Sequence, residues 1–338
     1  MAILFFITGF SLRPLYERYT QSSSSPLPDP PPRGIQDRLG SPQYKFIDPL
    51  LACEVADQKA FVELQPLNDI LQKQVQTEIN RKNATKISIY FRSMSSGQWA
   101  SYQENHVYPG GSLIKIPFLI AYYQMAANNP KILEEVLTYR GEFDQSVGQK
   151  IPPVKKLEVG KSYSVSELIR RMVIYSSNNS TVLLMQKLDR SYLNTVFDDL
   201  NVSKDQDVNR QWLVTTKTFA YFFRILYNAT YLNRTMSENA LKLLAETTFK
   251  EGLVAGVPEG INVSHKFGEH TLQYLDGTAV SSDLHDCGII YHAAHPYFLC
   301  VMAEGTSFEP LKGVIARISK AAYTFVDNSP SHLAIAAS

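Results

Sequence analysis

The longest apolar run of the chain lies at 113–123, Leu-Ile-Lys-Ile-Pro-Phe-Leu-Ile-Ala-Tyr-Tyr, and only Lys115 interrupts it. A run of that length without alternation predicts a buried helix. Pro117 is tolerated only near a first turn, so the helix starts close to Ser112. Elsewhere the pattern is amphipathic. Apolar residues at 67, 70, 71, 75 and 79 predict a helix over Pro66–Lys82. Similar spacing predicts helices over 164–174, Asn179–Leu188, Thr216–Tyr227, Ser237–Glu246 and Glu309–Val326. Ser164 and Glu167 form a capping box, and Ser237 is read as a cap. Strands are predicted at Lys86–Arg92 and Gln98–Gln103, joined by Ser-Met-Ser-Ser-Gly, and at Ile261–Gly268, Asp286–His292 and Tyr297–Ala303. Two strands, a helical block, three strands and a closing helix make an α/β (α+β) chain. Its antiparallel sheet is flanked by helices and carries an all-helical lobe at about 125–250.

The N-terminal eighth differs. Residues 1–20 open with an apolar stretch that no basic residue precedes, and Arg13 and Arg18 follow it. They are read as an anchor remnant, with a disordered N-terminus as the alternative. Residues 21–43 are rich in Ser and Pro and read as a linker. The folded domain is expected over 44–330. A tethered domain implies the cell envelope, outside the cytoplasm, with the N-terminus as membrane tether. No stretch reaches the length of a membrane-spanning helix.

A formal net charge of +1 argues against nucleic acid as a partner. Three cysteines exclude a disulfide framework or a cysteine-rich metal site. His285, Cys287, His292 and His295 do not converge on one face, so no metal and no cofactor are expected. Hairpin parity puts Cys287 and Cys300 on one face of neighbouring strands. They are read as two buried thiols, with a cross-strand disulfide as the alternative for an exported chain.

Three short motifs carry chemistry. In Ser112-Leu-Ile-Lys115 the lysine lies one helical turn from the serine. A buried amine there can take the serine proton, and the helix start offers N–H groups for an oxyanion. Ile174-Tyr-Ser-Ser177-Asn178-Asn179 is a polar knot between two apolar helices. Lys266-Phe267-Gly268-Glu269 closes a strand. Together and in this order they resemble the class A β-lactamase-like branch of the penicillin-binding protein superfamily of serine hydrolases, with its S-x-x-K, S-x-N and K-T/S-G motifs. The resemblance covers about 67–326.

The resemblance implies that Ser112 forms an acyl-enzyme, with Lys115 as its base. Ser177 would relay a proton to the leaving group, and Asn179 would hold Lys115 and the substrate amide. Lys266 would attract a substrate carboxylate. Phe267, Gly268 and Glu269 would line the substrate, the N–H groups of Ser112 and Glu269 forming the oxyanion hole. The substrate would be a β-lactam or a peptidoglycan-like peptide, and the protein a monomer. Two departures stand out. Phe267 replaces the hydroxyl that reads a substrate carboxylate. The segment 200–215 contains no glutamate to activate a deacylating water, only Asp205 and Asp207. Slow β-lactam turnover follows, with Lys115 as substitute base. The alternatives are a D-alanyl peptidase or esterase, and a non-catalytic binding module of the same fold.

Overall fold

The computed structural model describes residues 36–38, 43–53, 64–207, 211–273 and 279–328. The apolar segment 1–20 and most of the linker lie outside them. Two short strands, β1 (Gln36–Arg38) and β2 (Leu50–Cys53), pair antiparallel. Residues 36–38, assigned to the linker from sequence, are therefore part of a strand pair.

The chain continues through helix α1 (Gln65–Asn80), strands β3 (Lys86–Ser93), β4 (Trp99–Tyr102) and β5 (Tyr108–Pro109), and helix α2 (Lys115–Asn128). Short strands β6 (Val136–Thr138) and β7 (Ser162–Ser164) bracket a long loop. Helices α3 (Val165–Ile174), α4 (Asn178–Lys187) and α5 (Arg190–Asp199) follow. After β8 (Leu213–Val214) come α6 (Thr216–Tyr227) and α7 (Arg234–Ala245). Strands β9 (Val263–Gln273), β10 (Ala279–Ile290) and β11 (Tyr297–Gly305) precede the closing helix α8 (Phe308–Asn328).

The main sheet runs β4-β3-β11-β10-β9, antiparallel throughout. Strand alternation divides its side chains between two cores. Ile87, Ile89 and Phe91 face α1 and α8, joined there by Val301 and Ala303. Cys287, Ile289, Phe298, Cys300 and Met302 face the helical lobe. Helix α2 is that lobe's axis, with Lys115 to Tyr123 and Met125 to Ala126 all buried. Such a helix is held by packing on all sides rather than by amphipathicity.

Most expected elements appear within a residue or two of their predicted ends. Ser164 caps α3 by accepting from the Glu167 N–H at 3.2 Å, as the capping box requires. At α7 the cap is Asn233, which accepts from the Met236 N–H at 2.9 Å, and Ser237 lies buried inside the helix. Helix α5 lies where no helix is predicted; Asp189 caps it, accepting from the Ser191 N–H, and Val196 and Phe197 are buried on its inner face. Cys287 and Cys300 stand directly opposite in the β10–β11 ladder and are joined by a disulfide, not left as two thiols. Among the described residues no group of His, Cys, Asp and Glu side chains could hold a metal ion, and no helix is long and apolar enough to cross a membrane.

Candidate active site

The site is built where the Ser112 turn, the start of α4 and strand β9 meet. Pro109 and Tyr108 pair with β8, which fixes the chain just before the turn. Gly111 has φ +51° and lies so close to Glu269 that a Cβ would overlap the Glu269 carbonyl oxygen. Gly268 answers it from β9: a Cβ there would sit 2.6 Å from the Gly110 carbonyl oxygen. Only glycine permits both approaches. Together they press β9 against the serine turn. Residues 111–114 form a single 3₁₀ turn that leads into α2, so Ser112 precedes the α-helix proper.

Ser112 Oγ lies 2.8 Å from Lys115 Nζ. Lys115 Nζ also lies 2.7 Å from the Ser176 carbonyl oxygen, 2.7 Å from Asn178 Oδ1 and 3.1 Å from Ser176 Oγ. A carbonyl oxygen and an amide oxygen can only accept. In a neutral amine they take both N–H groups and leave the lone pair toward Ser112. The lysine is fully buried, and burial holds its pKa well below the usual lysine range. The nearby Lys266 pushes it further down. Neutral Lys115 is thus the form this environment favours, and it is the form able to take the serine proton.

Lys266, also buried, donates to Ser176 Oγ at 2.9 Å and to the Phe267 carbonyl at 2.9 Å. Burial lowers its pKa to about 7, against the opposing pull of Asp286 and Glu269. Ser176 Oγ therefore stands between two lysines. Its backbone has φ +54°, a sparsely populated conformation for a residue with a Cβ. The Ser177 N–H bonded to Arg171 O and the capping of α4 hold the chain in that shape.

This corrects the reading of the second motif. The S-x-N that meets the lysines is Ser176-Ser177-Asn178, one residue earlier than expected. Ser177 caps α4, its Oγ accepting from the Ser180 N–H at 3.2 Å and facing Ser180 Oγ at 3.0 Å. Asn179 also points away from Lys115. Its Oδ1 accepts from the Gln145 N–H at 2.6 Å, and its Nδ2 donates to Asp144 Oδ1 at 3.0 Å. Asn179 thus supports the loop beside the site.

Phe267 does not reach the cleft. It is buried in the α1/α8-side core against Phe249, 4.6 Å between ring centroids, and its ring stands 4.0 Å from Lys266 Nζ. A phenyl ring gains from the apolar core what the polar cleft cannot offer. Glu269 does line the cleft. Its carboxylate accepts from the Ile151 N–H at 3.0 Å, and burial raises its pKa. The cavity has a volume of about 460 Å³, with Ser112, Lys115, Asn178, Gln149, Glu269 and His270 on its walls. Loop 144–151 closes it on one side, pinned by Asn179 at one end and Glu269 at the other. Asp205 and Asp207 are absent from those walls. Asp207 Oδ1 instead accepts from the Gln211 N–H within its own loop.

Residues 70–326 match the β-lactamase enzyme family. No curated protein sequence matches the chain. Among solved structures, PBP-A superposes with a TM-score of 0.66 at 19% identity, over 79% of this chain and 98% of that one. A PBP-A variant determined as an acyl-enzyme complex with penicillin G gives 0.65 at 19%, over 78% and 97%. The class A β-lactamase of Mycobacterium abscessus gives 0.64 at 18%, over 77% and 99%. At these identities the superpositions establish a shared fold, and the family match covers most of the folded chain. The chain is a β-lactamase-like protein of the serine hydrolase superfamily and belongs to the β-lactamase enzyme family.

Proposed function

We propose that the protein is a serine hydrolase that cleaves an amide or ester through an acyl-enzyme on Ser112. The observation that carries this reading is the 2.8 Å separation of Ser112 Oγ and Lys115 Nζ, with the amine's N–H groups engaged by Ser176 O and Asn178 Oδ1. Lys115 takes the serine proton as Oγ bonds to the substrate carbonyl carbon. The oxyanion faces the N–H groups of Ser112 and Glu269. Ser176 passes a proton to the leaving nitrogen or oxygen and recovers one from Lys266 or Lys115. This relay belongs to Ser176 rather than Ser177.

Two substrate readings compete: a β-lactamase, and a peptidase or esterase acting on cell-wall peptide. Burial of Phe267 favours the second, since the hydroxyl that would read a β-lactam carboxylate is missing from the cleft. The lack of a carboxylate from segment 200–215 on the cleft wall favours it too. The envelope location expected from the N-terminal sequence agrees with the Cys287–Cys300 disulfide, which suits an oxidising compartment. Parallel assays with a penicillin, a D-alanyl peptide and a small activated ester test the reading. The ester and the peptide are expected to turn over and penicillin to acylate slowly. Rapid penicillin hydrolysis would instead identify a β-lactamase.

A further inference from the structure

The proposed acyl-enzyme needs a base for its hydrolysis, and the segment that carries such a base in class A relatives brings no carboxylate to the cleft. Strand β9 offers one from the opposite wall. Lys266, Gly268 and His270 alternate along one face of β9. Lys266 reaches Ser176, and Gly268 packs against Gly110 and Leu113 of the serine turn. His270 is the next position in that row, and it lines the same cavity as Ser112.

Asp283 stands directly across the ladder from His270, and its Oδ2 lies 3.1 Å from His270 Nδ1. The pair is sheltered, at 13% exposure for the His270 side chain and 5% for that of Asp283. A carboxylate only accepts, so Nδ1 carries the ring proton and Nε2 carries the lone pair. Asp283 Oδ1 has no hydrogen-bond partner, and His270 is the one described side chain that forms an ion pair with Asp283. Positive charge forming on the ring is met by that carboxylate; the other histidine whose charge Asp283 favours, His285, is held toward its neutral form by burial. Tautomer control and charge compensation of this kind are what an aspartate supplies to a histidine base.

We propose that His270, positioned by Asp283, is the general base that hydrolyses the Ser112 acyl-enzyme. The proposal rests on the Ser112 reading above. A water oxygen bonds to the ester carbonyl carbon while His270 Nε2 takes its proton. The bond from that carbon to Ser112 Oγ then breaks, and the imidazolium returns the proton to Oγ. Water and acyl-serine become serine and a free acid, with no further reactant. Asp283 is a positioning residue, since it reaches the reaction only through the ring.

The test separates acylation from deacylation, using a small activated ester and intact mass to follow the adduct. In His270→Gln and Asp283→Asn, acylation should stay within a few-fold of the unsubstituted protein. The adduct should persist about 10²-fold longer. Added imidazole should shorten its lifetime in His270→Ala and leave the unsubstituted protein unaffected, which a purely structural role would not produce. An unchanged adduct lifetime in His270→Gln would overturn the proposal, as would equal slowing of both steps or an adduct that never clears from the unsubstituted protein. Absence of both ester turnover and any adduct on the unsubstituted protein and on His270→Gln is a different result, overturning the Ser112 reading and this proposal with it.

Discussion

Lys266 Nζ donates to Ser176 Oγ at 2.9 Å, and Ser176 is held at φ +54° to receive it. The same Oγ lies 3.1 Å from Lys115 Nζ. One hydroxyl thus links Lys115, the base proposed for Ser112, to a second buried lysine. Ser176→Ala should slow acylation by about 10²–10⁴-fold, the range for a positioned proton-transfer group. Ser177→Ala should leave the rate within a few-fold and lose about 1 kcal/mol of stability with the α4 cap. Stopped-flow acylation and thermal unfolding of the two variants separate these outcomes.

The adjacency of that pair also explains why the second motif was legible only to within one residue. The stretch Tyr175-Ser-Ser-Asn-Asn179 contains two overlapping S-x-N frames, and residue type favours neither. The frame is decided by where α4 begins. Ser177 is the cap, so the serine before it is free to turn toward the lysines in a left-handed conformation. Ser112 and Lys115 were legible because one helical turn inside an apolar run leaves a single geometry. Phe267 is expected in the cleft because the family's hydroxyl stands at that position, but an apolar ring there packs against Phe249 in the core instead. The His270–Asp283 pair depends on the register of β9 against β10, which local sequence does not contain.

Phe267→Thr exchanges a core ring for a hydroxyl beside Phe249. We expect a loss of about 3 kcal/mol or more, as for large-to-small changes in a packed core. Acylation by carboxylate-bearing substrates should not improve. Chemical denaturation, combined with penicillin acylation rates, checks both halves.

Lys266 couples pH to stability and to rate. Its folded pKa of about 7 lies below the ordinary 10.5 because of burial. The unfolded chain therefore binds more protons between those values, and stability should rise with pH across that window. Lys266→Met should raise the melting temperature at pH 7 by at least about 2 °C, removing a buried charge at the expense of the proton relay. Acylation should fall as pH rises through about 7, where Lys266 loses the proton that Ser176 recovers. The alkaline limb of the acylation profile should be absent in Lys266→Met.

The Cys287–Cys300 disulfide leaves Cys53 as the remaining cysteine of three. Alkylation of the unfolded protein without reductant should label one thiol, and after reduction three. Three labels without reductant would contradict the bridge. Replacing both bridged residues by serine should cost about 2–4 kcal/mol.

Ser112 is proposed to become acylated with Lys115 as its base. The most direct measurement is peptide mapping of the protein after exposure to a fluorescent penicillin or an activated ester, in parallel with Ser112→Ala and Lys115→Ala. A single covalent adduct on Ser112, absent from both variants, is expected. An adduct on another residue, or one that forms equally well in Ser112→Ala, would contradict it.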